Sequence, residues 1–275
     1  MESLREFYKI GNGPSSSHTM GPEKAAKEFK KIIEKEYDKN NIKYKVELYG
    51  SLAATGKGHL TDHIVRERLQ NDDKNNVEVL FLPEIVYDFH TNGLKFFAYS
   101  LEDNEMKHPL KEKLYFSVGG GSIVDGSEIE KNSVISRKET KVEVYPQKNF
   151  QEIQEYCIKE KITLPEYVIK YEGTEIRNYL KTIWETMDET INKGLHTEGY
   201  LPGKLKIERK AKSFYTKFKK SPIKDTKGRV YSYALAASEE NASAGKVVTA
   251  PTCGASGLIP AILKTYQREN DLSEE

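Results

Sequence analysis

Two hydrophobic periodicities occupy different parts of this chain, and their separation constrains its fold most strongly. Alternating apolar residues, typical of half-buried strands, occur only in the first half, as in the segment Tyr44–Leu48. After Pro146 the apolar spacing becomes three and four residues, as along Ile176–Leu195, which predicts helices. Strands followed by helices are typical of α+β proteins. We therefore predict an α+β domain with a mixed sheet and helices over residues 1–148, a helical linker over 149–172, and an all-α domain over 173–275.

The same patterns locate the individual elements. Thr91-Asn92-Gly93 is a strong turn sequence, and it predicts a hairpin between Val86–His90 and Leu94–Leu101. The other predicted strands are 44–49, Val77–Leu82, Leu114–Val118 and Val142–Tyr145. The predicted helices are Pro22–Tyr37, Thr61–Leu69, Phe150–Lys159, Leu164–Lys170, a long helix capped by Thr174, Ile207–Phe218, Tyr231–Glu240 and Leu258–Arg268.

Composition excludes several classes of protein. The 275 residues carry 43 Lys+Arg against 42 Asp+Glu, so the formal net charge of +1 argues against nucleic acid as the main partner. No stretch approaches the roughly 20 apolar residues of a membrane span. The polar start Met1–Gly11 has no signal-peptide core, and two cysteines do not make a disulfide scaffold. We expect a cytoplasmic protein without a membrane or nucleic-acid partner.

The loop Pro14–Thr19 is the most informative local feature. Three serines, His18 and Thr19 stand directly before a predicted helix, whose N-terminal N–H groups and dipole attract carboxylate or phosphate. His18 is suited to act as general acid or base near neutral pH. The alternative is an ordinary Ser/Thr-capped helix with a surface histidine. The loop alone leaves both interpretations open.

A second loop, Gly50–His59, joins a predicted strand to a predicted helix. Its three glycines allow close approach of a ligand to the backbone, and His59 and Asp62 are nearby polar groups. The loop lacks the spacing of a nucleotide-binding Walker loop. His90 beside the predicted turn either converges on this region or is structural.

A third loop runs from Asn241 to Gly257 and consists mostly of small or polar residues, which indicates tight packing around a bound group. Cys253 lies just before a predicted helix, where a thiolate is favoured. It is either a metal ligand or nucleophile, or a small buried thiol.

Taken together, these loops resemble the iron–sulfur-dependent L-serine dehydratases, also called L-serine ammonia-lyases. The matching motifs of the first half are Phe7-Tyr-Lys-Ile-Gly, Gly13-Pro-Ser-Ser-Ser-His-Thr-Met-Gly-Pro22, Tyr49-Gly-Ser-Leu-Ala, Thr55-Gly-Lys-Gly-His, His90-Thr-Asn-Gly-Leu and Val118-Gly-Gly-Gly. The matching motifs of the second half are Trp184-Glu-Thr-Met, Gly194-Leu-His-Thr-Glu-Gly-Tyr-Leu-Pro-Gly203, Leu205-Lys-Ile-Glu-Arg, Glu240-Asn-Ala, Gly245-Lys-Val-Val-Thr-Ala-Pro-Thr252 and Gly257-Leu-Ile-Pro-Ala261. They follow the family's β region and the start of its α region in order.

The resemblance implies conversion of L-serine to pyruvate and ammonia, a step of amino-acid catabolism and gluconeogenesis. It implies a [4Fe–4S] cluster, held by three cysteines, that acts as a Lewis acid. His18 would transfer protons, and Cys253 is the candidate metal ligand. The implied substrate-binding residues are Ser15, Ser16, Ser17, Thr19, His59, Asp62, His90, Asn92, Glu240, Asn241 and Thr252.

The chain departs from the family at two places. The family's last motif has a cluster cysteine at the position of Ser256, whereas the thiol of this chain is at Cys253. The family's α region continues further and carries two more cluster cysteines, so we expect the helical domain to be truncated. The predicted partners are L-serine, a companion chain with the rest of the α region, and further copies of this chain. The alternatives are a non-catalytic amino-acid-binding or regulatory fragment, one half of a split enzyme, and an unstable remnant.

Overall fold

The chain forms two compact units. The computed structural model describes residues 1–70, 76–131, 143–220 and 225–273. One unit, which we call the sheet unit, comprises Asn12–Val134, and the other, the helical unit, comprises Met1–Gly11 with Ile135–Glu275. The first eleven residues and the predicted linker 149–172 both belong to the helical unit.

Hydrogen bonds explain why the N-terminal residues belong to the helical unit. This segment contains helix α1 (Leu4–Phe7) and ends in strand β1 (Ile10–Asn12). The Met1 ammonium donates to the Tyr145 carbonyl oxygen at 2.6 Å, and the Leu4 N–H donates to the Glu172 carboxylate at 2.7 Å. These contacts join residues far apart in sequence, which periodicity cannot reveal.

A mixed five-stranded sheet forms the centre of the sheet unit. Its elements are a π-helical turn (Ser16–Met20), α2 (Gly21–Glu36), β2 (Ile42–Tyr49), α3 (Gly50–Thr55), α4 (Thr61–Leu69), β3 (Val77–Leu82), β4 (Gly93–Ser100), β5 (Lys111–Gly119), β6 (Ser122–Asp125) and α5 (Gly126–Lys131). The strand order is β3-β2-β4-β5-β6, in which only β2 and β3 pair in parallel. Val46 lies opposite Val79 on one side and Phe96 on the other. The mixed sheet predicted from the sequence is confirmed.

The core of the sheet unit consists of residues that the strand alternation and the helical spacing place on one face of their element. Alternate residues of β2 are buried, and so is the apolar stripe of α2 that contains Phe29 and Ile33. These side chains share one hydrophobic cluster with residues of α4 and β4. Full burial of a side chain such as Phe29 contributes about 1.5–3 kcal/mol relative to its exposure.

Two local predictions in the sheet unit are wrong. Residues 86–90 form no strand, and β4 pairs with β2 and β5, so the predicted hairpin across Thr91-Asn92-Gly93 does not form. The segment Gly50–Thr55, predicted as loop, is helical because Leu52 and Ala53 are buried in the core. Cross-strand partners replace the local turn in the first case, and tertiary packing outweighs the turn residues in the second.

Helices form most of the helical unit, as predicted. Its further elements are α6 (Phe150–Glu160), α7 (Leu164–Glu172), α8 (Ile176–His196), α9 (Ala211–Lys220), α10 (Thr226–Ala242), β7 (Lys246–Val248) and α11 (Leu258–Glu269). Strands β1 and β7 pair as a small two-stranded sheet. Along α8, Ile183 and Ile191 are buried. Among the described residues, no helix is long and apolar enough to cross a bilayer.

The start of three helices differs from the prediction. Helix α10 begins at Thr226 rather than Tyr231. Helix α9 begins at Ala211 rather than Ile207, because the buried Glu239 carboxylate accepts the N–H groups of Lys210 and Ala211 at 2.5 and 3.1 Å. Helix α8 begins after Glu175 without a side-chain cap from Thr174. The predicted strand Val142–Tyr145 begins outside the described residues, and 143–145 form no strand.

Candidate functional site

Hydroxyl groups organise the π-helical turn before α2. The Ser15 hydroxyl accepts the N–H of His18 at 3.1 Å and lies 3.4 Å from the Ser17 hydroxyl. Thr19 is fully buried, and its hydroxyl donates to the His59 carbonyl oxygen at 2.8 Å while accepting the Ser15 N–H at 3.2 Å. The hydroxyl of Thr19 is therefore committed to the fold, whereas those of Ser15 and Ser17 contact His18.

The backbone of this turn does not present the open helix end that the sequence indicates. The N–H groups of Thr19 and Met20 both donate to the Ser15 carbonyl oxygen, at 2.9 and 3.1 Å. The N–H of Gly21 donates to the Ser16 carbonyl oxygen. Consecutive N–H groups are thus used inside the π-helical turn, so a ligand here would meet side chains rather than these donors.

The imidazole of His18 lies at the centre of the cluster. Its Nδ1 atom lies 2.9 Å from the Ser17 hydroxyl and its Nε2 atom 3.0 Å from the Ser51 hydroxyl. The ring of His59 is 4.7 Å away, centroid to centroid. Burial, and secondly the charge of His59, lower the pKa of His18 below its usual value, while the Ser51 backbone acts in the opposite sense. A lowered pKa keeps this imidazole unprotonated at neutral pH, so that it is available to accept a proton.

Three residues that the sequence reasoning missed hold this cluster together. The Thr61 hydroxyl donates to the His18 carbonyl oxygen at 2.6 Å, and the Ser117 hydroxyl donates to the Ser17 carbonyl oxygen at 2.6 Å. The third is Ser51. Ser117 is the polar residue within the apolar strand pattern Leu114–Val118, which is the available sequence signal for it.

His90, Asn92 and Asp62 belong to the same unit but have local roles in the described structure. His90 Nδ1 accepts the Asn92 N–H at 3.0 Å, so this imidazole closes a turn. The Asn92 amide donates to the Ser117 carbonyl oxygen at 3.3 Å, whereas its buried Oδ1 atom has no hydrogen-bond partner among the described residues. Asp62 lies in the first turn of α4, where a carboxylate stabilises the helix dipole.

The helical unit contains the remaining candidates, and Glu240 lies there within an ion-pair network. Its Oε1 atom lies 2.5 Å from an Arg209 Nη atom and its Oε2 atom 2.7 Å from the Lys193 ammonium. Both carboxylate oxygens are therefore engaged by cations of the same unit. This arrangement is a structural ion pair, which the small-residue pattern around Glu240 did not indicate.

Cys253 begins a short 3₁₀ turn, Cys253–Ala255, and is buried. Burial raises the pKa of its thiol to about 12, which is opposite to the expectation of a favoured thiolate. Thr252 precedes it on the surface, and the half-buried Asn241 lies in the last turn of α10. The hydroxyl of Ser256, three residues after Cys253, is buried and has no hydrogen-bond partner among the described residues.

The residues present do not form a complete iron–sulfur ligand set. The sequence contains two cysteines, and Cys157 packs in α6 against Tyr145 and Tyr167. Only Cys253 lies in the small-residue loop. Among the described residues, no group of three or more His, Cys, Asp or Glu side chains is placed to hold a metal ion. The three thiolates of the expected cluster therefore cannot come from these 275 residues alone.

Comparison with known proteins identifies the family. The family model for the serine dehydratase beta chain matches residues 3–88. L-serine dehydratase of Haemophilus influenzae is 34% identical over 312 aligned positions, which cover 98% of this chain and 67% of the relative. L-serine dehydratase 2 of Escherichia coli is 33% identical, with 98% and 66% covered, and the Streptomyces coelicolor enzyme is 33% identical, with 96% and 66% covered. The chain spans about two thirds of the length of these relatives. It belongs to the L-serine dehydratase family.

Proposed function

We propose that this chain supplies the proton-transfer and substrate-binding part of an L-serine dehydratase, the enzyme that converts L-serine to pyruvate and ammonia. The His18 cluster is the observation that carries the proposal. A neutral, half-buried imidazole stands among hydroxyl groups in a chain whose relatives, matched over nearly its whole length, are named L-serine dehydratases. That combination provides a general base beside polar groups that bind an amino acid.

The chemistry assigns a definite task to His18. Removal of the α-proton of serine and loss of its β-hydroxyl as water give an enamine, which tautomerises to an imine and is hydrolysed to pyruvate and ammonia. His18 in its neutral form accepts the α-proton, and the resulting imidazolium returns a proton to the departing hydroxide, which leaves as water. The Ser17 hydroxyl contacts the His18 ring and the Ser15 hydroxyl contacts the His18 backbone N–H, so both are polar groups of this turn for a carboxylate or ammonium group of the substrate. Ser16 lies in the same turn.

The iron–sulfur cluster remains part of the proposal only with ligands from elsewhere. Since Cys253 is the single thiol of the small-residue loop, we propose that a companion polypeptide supplies the other thiolates. Metal binding would displace the proton of Cys253, whose pKa burial raises. No step of the reaction is assigned to the cluster here, because this chain does not hold its ligand set.

Reconstitution tests the proposal. The chain is mixed anaerobically with a polypeptide that carries the unmatched third of an L-serine dehydratase, iron and sulfide are added, and pyruvate release from L-serine is measured. We expect turnover by the mixture and none by the isolated chain. His18→Gln should lower turnover at least about 100-fold, the usual contribution of a general base. His108→Gln, at an exposed histidine of the same unit, is the matched control and should keep it.

Two outcomes contradict the proposal. An inactive mixture that has nevertheless assembled a cluster would refute the assigned reaction. Robust turnover by the isolated chain would refute the need for a companion. Light scattering of the isolated chain and of the mixture would test the accompanying proposal that copies of this chain associate.

A second candidate function is a non-catalytic amino-acid-binding module. The observation that favours it is the position of the His18 cluster entirely within the sheet unit, which has its own hydrophobic core. The buried Oδ1 atom of Asn92 also lacks a described partner, and a ligand ammonium group would satisfy it. Calorimetric titration of the isolated chain with L-serine, read together with the reconstitution, distinguishes the two functions. L-Serine binding that is lost in Asn92→Ala, in a chain whose cluster-containing mixture shows no turnover, would favour this module.

A further inference from the structure

Ser51 occupies a rigid position at the junction between a strand and a helix. Strand β2 ends at Tyr49, and Gly50 follows with a φ of +47°, a left-handed conformation that favours glycine. A Cβ atom on Gly50 would lie 2.4 Å from the Thr91 carbonyl oxygen. The Gly50 and Ser51 N–H groups donate to the carbonyl oxygens of Ile85 and Thr91, at 2.9 and 3.1 Å. These backbone hydrogen bonds thus fix the position of Ser51 independently of its side chain.

The fixed hydroxyl of Ser51 meets one end of the His18 ring. The Nε2 atom lies 3.0 Å from Ser51 Oγ, and the Nδ1 atom at the other end lies 2.9 Å from Ser17 Oγ. The His18 backbone is held separately, because its N–H donates to Ser15 and its carbonyl oxygen accepts the Thr61 hydroxyl. The ring and the backbone of His18 are therefore each held by separate hydrogen bonds.

The serines of the turn allow one consistent direction for these hydrogen bonds. Ser15 Oγ already accepts the His18 N–H, so its own hydrogen is available for Ser17 Oγ at 3.4 Å. With Ser17 Oγ as the acceptor of that hydrogen, its own hydrogen is directed at Nδ1, 2.9 Å away. A neutral imidazole has one donor and one acceptor nitrogen, so Nε2 carries the hydrogen and donates it to Ser51.

We propose that Ser51 is a positioning residue that holds His18 with its hydrogen on Nε2, which leaves Nδ1, on the Ser17 side, as the basic nitrogen. This inference rests on the proposed function for its catalytic meaning. The arrangement assigns opposite roles to the two hydroxyls that contact the ring. Ser51 accepts and fixes the ring, whereas Ser17 stands at the nitrogen that receives a proton.

Nuclear magnetic resonance of the ¹⁵N-labelled full chain tests the assignment without a companion. Two-bond ring correlations at neutral pH, with His18→Gln to identify the signals, should show His18 with hydrogen on Nε2 and a ring N–H protected from exchange. Ser51→Ala should remove that protection, and Ser51→Thr, which retains a hydroxyl, should restore it. Ser100→Ala is the matched control: it removes a serine hydroxyl of the same unit, one that accepts the Glu102 N–H.

In the reconstituted mixture, Ser51→Ala should lower kcat about tenfold, the value of one orienting hydrogen bond, with KM changed less than twofold. Hydrogen on Nδ1 of the wild-type ring would overturn the inference, and so would unchanged protection in a folded Ser51→Ala variant. The wild-type measurement decides the inference even where Ser51→Ala does not fold. An inactive wild-type mixture would contradict the proposed function. It would not affect the position of the ring hydrogen, which the resonance experiment determines on the isolated chain.

Discussion

Arg209 provides the sharpest test of how the helical unit is stabilised. Its guanidinium is 5% exposed and lies 2.5 Å from Glu240 Oε1 and 3.4 Å from Glu239 Oε2. Both carboxylate side chains are themselves less than 10% exposed. Lys193 reaches the other Glu240 oxygen at 2.7 Å but is 65% exposed. Two cations thus contact the same carboxylate, one from the interior and one from solvent.

Substitution of Arg209 should lower the free energy of unfolding more than substitution of Lys193. Arg209→Met leaves the Glu240 carboxylate with the solvent-facing Lys193 and the Glu239 carboxylate with two backbone N–H donors, and removal of one partner of a buried pair costs about 3–5 kcal/mol. Lys193→Met removes a partly solvated pair, for which about 0–1 kcal/mol is expected. The comparison is well matched, because both substitutions replace a cation with an apolar side chain of similar length beside Glu240.

Urea unfolding measures both losses. Trp184, the single tryptophan, lies in α8 within the same unit, so its fluorescence reports on the region that contains Arg209. With a urea dependence of roughly 2 kcal/mol/M, the midpoint of Arg209→Met should fall by roughly 1.5–2.5 M. The midpoint of Lys193→Met should fall by less than about 0.5 M.

Equal losses in the two variants would refute the reasoning, because burial would then not determine the strength of these ion pairs. The double variant Arg209→Met with Glu240→Gln adds a second condition. If the cost arises from an unpaired buried charge, neutralising Glu240 should recover part of the stability. A double variant less stable than Arg209→Met alone would assign the loss to packing of the arginine instead.

Three further predictions concern the backbone, the thiol and the histidine. Gly50→Ala should lower the free energy of unfolding by at least about 1–2 kcal/mol, because of its positive φ and the nearby Thr91 oxygen, whereas Gly58→Ala should cost less in the same urea assay. With a pKa raised to about 12, Cys253 should react with iodoacetamide at pH of about 8 far more slowly in the native protein than in urea, and equal rates would contradict its burial. Since the pKa of His18 is lowered in the folded state, the unfolded chain binds more protons, and stability should fall as pH drops below about 6.5. His18→Gln should reduce that dependence, measured as urea midpoints across pH, and an unchanged slope would count against the lowered pKa.

Local periodicity predicted those elements whose burial pattern is set by their own residues. The spacing along Pro22–Tyr37 and the alternation before Gly50 locate α2 and β2 within one or two residues. The same reasoning failed at Val86–His90, because the residues that pair with β4 are distant in sequence. Strand partners depend on the whole sheet, and a turn sequence such as Thr91-Asn92-Gly93 does not determine them.

The candidate site shows the same limit at the level of side chains. Sequence reasoning located the serine-rich turn and His18, but it treated the hydroxyls as donors for a ligand. In the structure the hydroxyls of Ser17 and Ser51 contact the imidazole instead. Which hydroxyl meets which nitrogen depends on where β2 and the π-helical turn come together, and no spacing along the chain encodes that meeting point.

Different properties limit the proposed roles of the Cys253 thiol and the His18 imidazole. His18 already has a lowered pKa and hydrogen-bond partners at both nitrogens, so its neutral form and its orientation are properties of this chain. Cys253 is a buried thiol with a raised pKa, yet a metal that binds sulfur displaces the proton, so protonation alone does not exclude ligation. The limiting quantity for a cluster is therefore the number of thiols rather than their ionisation. With one thiol in the small-residue loop, the chain can contribute to such a centre only together with ligands from another polypeptide segment.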